Sequence, residues 1–219
     1  MCPISFYHAL YFPRRFRDAF MAGVFFDGAS DADITRWRAA VTLFLNKVSI
    51  DQGGRRLVVK NPTYTARLTM LRAIWPDAQF IHIRRNPYVV FYSMRNFHQK
   101  LCAALGLQTD APRDVDAVVL ETYARMMDAL EADAADLPPD RFIDVKFEDL
   151  EADPQATLAR IYDQLSLPGF EAARPHFDSA LADVGDYKKN AYDFDPAVLG
   201  VVGERWAAHI AKGGYAPPP

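Results

Sequence analysis

Two adjacent arginines stand where an apolar run gives way to a predicted helix. The run, residues 79–83, predicts a buried strand, and Asn86 and Pro87 suit the cap and the first position of the helix that follows. The N–H groups and the positive dipole end of a helix N-terminus attract anions, and a guanidinium supplies a fork of donors that fits a phosphate. Arg85 and, about two turns into the helix, Ser93 therefore predict an anion or phosphate site. Ordinary surface salt bridges are the alternative that the residue types leave open.

Three short apolar runs alternate with helical patterns along the chain. The predicted strands are residues 56–60, 79–83 and 142–147. The predicted helices cover about 31–48, 63–74, 87–105, 114–136, 153–165 and 195–210. Strands that alternate with helices predict a parallel sheet flanked by helices, with right-handed crossovers. Because ligands bind at the C-terminal ends of such strands, Lys60 and Arg85 are expected to lie where a ligand would bind.

The bulk composition bears on the classes of partner and on location. The 219 residues carry a formal net charge of -3, so nucleic acid is not an expected partner. Cys2 and Cys102 cannot form a disulfide framework, and no histidines stand at metal-ligand spacing, so no metal site is expected. No apolar run reaches the roughly 18 residues of a membrane span, and residues 1–10 lack the basic start of a signal peptide. These features favour the cytoplasm; they do not predict an oligomeric state.

The first part of the chain, residues 1–29, forms a lead-in whose stretch 6–21 is rich in aromatic and basic side chains. One interpretation is an irregular helical segment that packs its rings on the core. The other is a lid or substrate-contacting element. The same composition leaves open a lipid-like acceptor or contact with a membrane surface.

The order of these segments resembles the sulfotransferase family over roughly residues 30–215. Residues 79–93 resemble the family's 3′-phosphate-binding segment, in which a strand leads into Arg-Asp-Pro and a serine follows eight residues after the arginine. Here the arginine is Arg85, the serine is Ser93, and Asn86 replaces the aspartate. The resemblance implies that Arg85 and Ser93 bind the 3′-phosphate of the donor 3′-phosphoadenosine 5′-phosphosulfate (PAPS) or of its product 3′-phosphoadenosine 5′-phosphate (PAP).

Three further segments carry the resemblance. Lys60-Asn61-Pro62 is similar to the family's Lys-Ser-Pro element, which implies that Lys60 acts in catalysis by stabilising charge on the sulfonate or the 5′-phosphate; an exposed strand-end lysine is the alternative. Residues 145–154 resemble a strand followed by Tyr-Glu-Asp-Leu, with Glu148 and Asp149 expected to be structural. Lys188 and Lys189 resemble the basic loop that closes over the nucleotide, although two adjacent lysines also suit a solvated turn.

The resemblance implies a P-loop-NTPase-like sulfotransferase fold in one domain, 1–219. A loop like Pro-Arg-Ser-Gly-Thr-Thr, which holds the 5′-phosphosulfate in the family, is not found, so the fold is expected to be N-terminally truncated. The implied reaction transfers a sulfonate from PAPS to a hydroxyl or amine of a small-molecule, glycan or lipid acceptor and releases PAP. The alternatives are a non-catalytic PAP-binding or interaction module and a P-loop kinase, whose Gly-x-x-x-x-Gly-Lys-Ser/Thr pattern is absent. The general base is unassigned; His8 and His98 are weak candidates.

Overall fold

A computed structural model describes residues 5, 7–108, 114–183 and 190–219. The described residues group into two compact units. The first takes its residues from Met1–Pro76 and Ser93–Glu131, and the second from Asp77–Tyr92 and Ala132–Pro219. Compact units of this kind also occur within one domain, so the single domain 1–219 stays a prediction.

The first unit is helical. Its elements are α1 (Tyr7–Tyr11), a 3₁₀ helix (Pro13–Arg15), α2 (Phe16–Phe25), α3 (Asp31–Asp51), a second 3₁₀ helix (Pro62–Ala66), α4 (Leu68–Ile74), and most of α5 (Pro87–Leu105) and α6 (Val115–Ala134). The predicted start of α3 is confirmed by a capping box, in which Asp33 N donates to Ser30 Oγ at 3.2 Å and Ser30 N donates to Asp33 Oδ2 at 3.2 Å.

A buried arginine interrupts the helix predicted at 63–74. Arg67 is only 5% exposed, and its Nε donates to the carbonyl of Val24 at 2.9 Å while its guanidinium also bonds the Gly23 carbonyl. The guanidinium carbon lies 4.0 Å from the ring centroid of Phe26 and 5.0 Å from that of Trp37. The backbone of Arg67 therefore leaves helical geometry, which separates the second 3₁₀ helix from α4.

The prediction of a strand at residues 56–60 is wrong. Residues 55–61 form neither helix nor strand, Val58 is 93% exposed and Val59 is 45% exposed. The apolar run indicated burial, but a strand exists only where another strand offers hydrogen bonds. Lys60, at the end of this run, is exposed.

The second unit holds the sheet. Its elements are β1 (Phe80–Arg84), the start of α5, β2 (Phe142–Lys146), α7 (Phe147–Ala152), α8 (Pro154–Gln164), α9 (Phe170–Asp183), α10 (Pro196–Arg205) and α11 (Ala207–Gly213). β1 and β2 pair in parallel, with Phe80 opposite Phe142 and Arg84 opposite Lys146. Among the described residues the sheet has these two strands, so the predicted parallel pairing is confirmed.

Helix α8 covers one face of the sheet at β2. Ile143 and Val145 are buried there against Ile161 and Leu165 of the α8 segment. The helix begins where predicted because Asp153 Oδ1 accepts a hydrogen bond from Ala156 N at 3.0 Å and Pro154 occupies the first helical position. Helix α9 was not predicted, and the predicted helix 195–210 is split at Trp206 into α10 and α11.

Replacing the cap, Asp153→Ala, is expected to lower the free energy of unfolding by about 1 kcal/mol, because Ala156 N loses its acceptor. The matched control is Asp163→Ala near the C-terminal end of the same helix, where a carboxylate opposes the helix dipole and its loss is neutral or slightly stabilising. Urea unfolding followed by circular dichroism measures both. Equal losses in the two variants would contradict the capping role.

Candidate functional site

The candidate site is built where β1 ends and α5 begins, within the second unit. Arg85 lies between these two elements, as the sequence predicted, and it is half-buried. Its guanidinium carbon lies 4.6 Å from the ring centroid of Phe147, the first residue of α7. No hydrogen bond or ion pair within the described residues engages the Arg85 side chain. The Phe147 ring thus holds a cation that has no carboxylate partner there, and its donors are available to an anion.

Asn86 fixes the start of α5. Its Oδ1 accepts a hydrogen bond from Tyr88 N at 3.1 Å, which confirms the predicted cap. Its Nδ2 donates to the carbonyl of Ala216 at 3.0 Å. The aspartate that stands here in the resembling pattern could accept the first bond but could not donate the second. The asparagine therefore links the helix start to the C-terminal segment.

The carboxylate of Glu148 bonds both to the start of α5 and to the C-terminal segment. Glu148 Oε1 accepts from Asn86 N at 2.9 Å, and Glu148 Oε2 accepts from Tyr215 Oη at 3.0 Å. The Tyr215 ring in turn lies 5.1 Å from Lys146 Nζ. These contacts agree with the structural role expected for Glu148, whose carboxylate accepts from two donors, one of them the amide of the residue that follows Arg85.

The variant Tyr215→Phe is expected to lower the free energy of unfolding by about 1 kcal/mol, because Glu148 loses one of its two donors while the ring over Lys146 is kept. Tyr162→Phe, on α8 of the same unit, is the matched control, since the ring contacts of Tyr162 to Phe170 and Phe177 do not require its hydroxyl. Chemical denaturation measures the two. A Tyr215→Phe variant as stable as the control would argue against the link.

A charged cluster on the sheet was not predicted from the sequence. His82 Nδ1 donates to Asp144 Oδ1 at 3.0 Å, and Arg84 Nη2 pairs with Asp144 Oδ2 at 2.7 Å. Burial alone would raise the pKa of Asp144, but the hydrogen bond and charge of His82 and the charges of Arg84 and Lys212 outweigh burial and hold that pKa below its usual value. The sequence signal that could have predicted this cluster is the polar residue at every second position of both strands. Residues two apart in a strand lie on the same face of the sheet.

Close packing beside this cluster requires glycine. A Cβ on Gly213 would lie 2.6 Å from Cδ2 of Tyr215, and Gly214 has a φ of +64°. The end of α11 lies over the charged cluster. Among the described atoms, Nε of Arg84 is buried without a hydrogen-bond partner.

The other predicted site residues lie elsewhere in the chain. Lys60 and the half-buried Ser93 belong to the first unit, Ser93 on α5. Lys188 and Lys189 lie outside the described residues. The grouping of Lys60, Arg85 and Ser93 into one binding site stays a prediction.

His98 is unsuited to act as the general base. It is 1% exposed and packs edge-on against Phe16, Phe20 and Phe97 at centroid distances of 5.6, 5.1 and 5.4 Å. Burial lowers its pKa to about 4, and its Nδ1 has no hydrogen-bond partner among the described residues. No substrate proton can reach a ring enclosed in this way.

Two kinds of feature are missing from the described part of the chain. No three or more His, Cys, Asp or Glu side chains gather there in a way that could bind a metal ion. No helix within the described ranges has the length and apolar character needed to cross a membrane.

Comparison with known sequences adds a family. Residues 15–172 match the profile described as the sulfotransferase family. The chain is 34% identical over 179 residues to the omega-hydroxy-beta-dihydromenaquinone-9 sulfotransferases of Mycobacterium bovis and Mycobacterium tuberculosis. The match covers 82% of this chain and 46% of each relative, so the chain spans about half the length of the curated relatives it matches.

Two solved structures are similar in fold. The crystal structure of sulfotransferase STF1 from Mycobacterium tuberculosis has a TM-score of 0.55 at 26% identity, covering 73% of this chain and 41% of that one. The sulfotransferase domain from the curacin biosynthetic pathway has a TM-score of 0.51 at 20% identity, covering 93% and 80%. With the parallel strand pair, these likenesses confirm the predicted α/β fold class.

Proposed function

This chain belongs to the sulfotransferase family, and on that premise we propose that it transfers a sulfonate group from PAPS to an acceptor hydroxyl or amine and releases PAP. The supporting observation is the Arg85 guanidinium, held over Phe147 beside the N-terminus of α5 without a carboxylate partner among the described residues. Such a group suits a doubly charged phosphate, because its fork of donors acts together with the helix dipole. The 3′-phosphate is what distinguishes PAPS from other adenine nucleotides.

In the proposed reaction the acceptor oxygen or nitrogen attacks sulfur, the bond between sulfur and the 5′-phosphate oxygen breaks, and the acceptor proton passes to a base that is not assigned. Arg85 and Ser93 hold the 3′-phosphate, and Lys188 and Lys189 close over the nucleotide. Lys60 stabilises the charge that develops on the departing 5′-phosphate. Positioning of the donor and acceptor for in-line attack supplies much of the rate acceleration.

A lipid-like alcohol is the acceptor class that we favour. The relatives from the two mycobacteria are named for a hydroxylated dihydromenaquinone, which is such an alcohol, and 34% identity over most of this chain supports a related acceptor. Small phenols and glycans are the other candidates. The cytoplasm remains the proposed location, on the cysteine usage of the sequence.

A non-catalytic PAP-binding module is the second candidate function. The sequence contains no loop like Pro-Arg-Ser-Gly-Thr-Thr to hold the 5′-phosphosulfate. Residues that hold the 3′-phosphate would bind PAP whether or not sulfonate is transferred, so PAP binding alone does not separate this function from that of the enzyme.

Titration calorimetry with PAP and with adenosine 5′-monophosphate tests the proposal. Because the two ligands differ in the 3′-phosphate, PAP is expected to bind at least about tenfold more tightly. Transfer of labelled sulfonate from PAPS to a polyprenyl alcohol then distinguishes the two functions: PAP binding with transfer supports the enzyme, and PAP binding without transfer to any acceptor class supports the module. Equal, weak binding of both nucleotides would refute both functions.

A further inference from the structure

Five large apolar or aromatic side chains are exposed on one part of the first unit. Phe12 is 46% exposed and Leu107 is 72% exposed, and Tyr7, Tyr11 and Leu105 are also exposed. With the arginines at positions 14 and 15 they form what is called here the lead-in surface, defined by Tyr7, Tyr11, Phe12, Arg14, Arg15, Leu105 and Leu107.

Hydrogen bonds make the lead-in surface continuous. Leu107 N donates to the carbonyl of Tyr11 at 3.0 Å, and Arg14 N donates to the side-chain oxygen of Gln108 at 3.1 Å. These bonds bring the segment after α5 against α1 and the first 3₁₀ helix. Tyr7 lies one helical turn before Tyr11 in α1 and so shares its face.

The exposure of these side chains does not come from loose packing. The opposite face of α1 is buried, with Ala9 and Leu10 both 0% exposed, and Pro13, Phe16 and Phe20 are buried in the segment that follows. An element whose opposite face is packed therefore presents the exposed side chains outward. Exposed contiguous apolar groups on a packed scaffold mark an interaction surface.

The charge of the lead-in surface is positive. Arg14 and Arg15 are exposed and make no ion pair within the described residues, whereas Arg17 is neutralised by Glu121 at 2.7 Å. Asp18, at the start of α2, is the carboxylate nearest to these two arginines along the chain. Two uncompensated arginines therefore border the aromatic side chains of a chain whose net charge is -3.

We propose that the lead-in surface docks on an anionic lipid bilayer. Tyrosine and phenylalanine rings favour the headgroup boundary, leucine side chains insert below it, and each arginine near an anionic leaflet contributes about 1 kcal/mol. A second copy of the chain is a poorer occupant, because a two-fold contact through this surface would bring Arg14 and Arg15 of both copies together.

The docking proposal rests on exposure, hydrogen bonds and charge in the first unit and does not require the proposed sulfonate transfer. Flotation of the full chain with phosphatidylcholine vesicles, alone or with about a third phosphatidylglycerol, measures it without PAP or a sulfonate donor. We expect binding to the anionic vesicles that weakens as salt rises. Failure of this test would leave the proposed function untouched, and failure of PAP binding would leave the docking untouched.

Two double variants locate the contact. Phe12→Ser with Leu107→Ser is expected to reduce binding to anionic vesicles at least about tenfold, because two apolar anchors are removed. The matched control is Phe44→Ser with Ile50→Ser, which removes two comparably exposed apolar side chains from α3.

The second double variant is Arg14→Gln with Arg15→Gln, expected to lose about tenfold to thirtyfold and to show a smaller salt dependence. Its control is Arg38→Gln with Lys47→Gln on α3. Binding restricted to anionic vesicles and lost in both lead-in variants supports the proposal. The proposal would be overturned if the chain did not bind vesicles, or if the control variants lost as much binding as the lead-in variants. It would also be overturned if the lead-in variants abolished self-association of the chain and left vesicle binding unchanged.

Discussion

Arg85→Ala is expected to lower the affinity for PAP by about 10- to 100-fold, because charge-assisted hydrogen bonds from a guanidinium to a phosphate contribute about 1.5–3 kcal/mol. The affinity for adenosine 5′-monophosphate should change little, since that nucleotide lacks the 3′-phosphate. Arg85 contacts the Phe147 ring and no described carboxylate, so the variant should fold with a loss of about 1 kcal/mol or less. Titration calorimetry with both nucleotides measures the effect.

Two further variants sharpen the Arg85 experiment. Arg85→Lys keeps the charge but loses the planar fork and its stacking on Phe147, so an intermediate affinity for PAP is expected. Arg160→Ala removes an exposed arginine from α8 of the same unit and should leave PAP affinity unchanged. An Arg85→Ala variant that binds PAP as tightly as the Arg160→Ala control would remove Arg85 from the site.

A buried histidine should dominate the acid sensitivity of the protein between about pH 6.5 and pH 4. Burial lowers the pKa of His98 to about 4 in the folded chain, against 6.5 for an ordinary histidine. Within this window the unfolded chain binds the additional proton, so the free energy of unfolding falls as the pH falls from 6.5 towards 4. The difference in pKa corresponds to up to about 3 kcal/mol, which is a large share of the stability of a domain.

His98→Phe tests this assignment, because Phe16, Phe20 and Phe97 already enclose the position with aromatic rings. The variant should flatten the dependence of the unfolding free energy on pH across the window, measured by urea unfolding at several pH values. His98→Leu serves as a second variant if the phenyl ring overpacks the site. His176→Gln, on an exposed position of α9, should keep the wild-type slope, and a wild-type slope in both His98 variants would contradict the assignment.

Local signals predicted the helices well. The cap at Ser30, the Asn86-Pro87 start of α5 and the Asp153-Pro154 start of α8 each depend on residues within three or four positions, and the structure confirms all three. The interruption at Arg67 was not predicted, because it depends on carbonyls of Gly23 and Val24 that lie more than 40 residues away along the chain.

The features that could not be predicted from the sequence depend on contacts between residues far apart in the chain. The run 56–60 has the composition of a strand, yet strand formation depends on a neighbour that composition does not reveal. The position of Arg85 at a strand-to-helix junction was predictable from local pattern. Its contact with Phe147 and the hydrogen bonds of Asn86 with Glu148 and Ala216 were not predictable, because these partners lie 62 to 130 residues away.

The parallel pairing of β1 with β2 also sets the order in which this protein can acquire its site. The paired residues are 62 positions apart, so β1 leaves the ribosome long before its partner is made. Closing so long a loop has an entropic cost that local helix formation does not have, and parallel pairing of distant strands is correspondingly slow. During synthesis Arg85 therefore emerges before β2, and the edge of β1 that pairs with β2 is open to incorrect pairing until residue 146 has emerged.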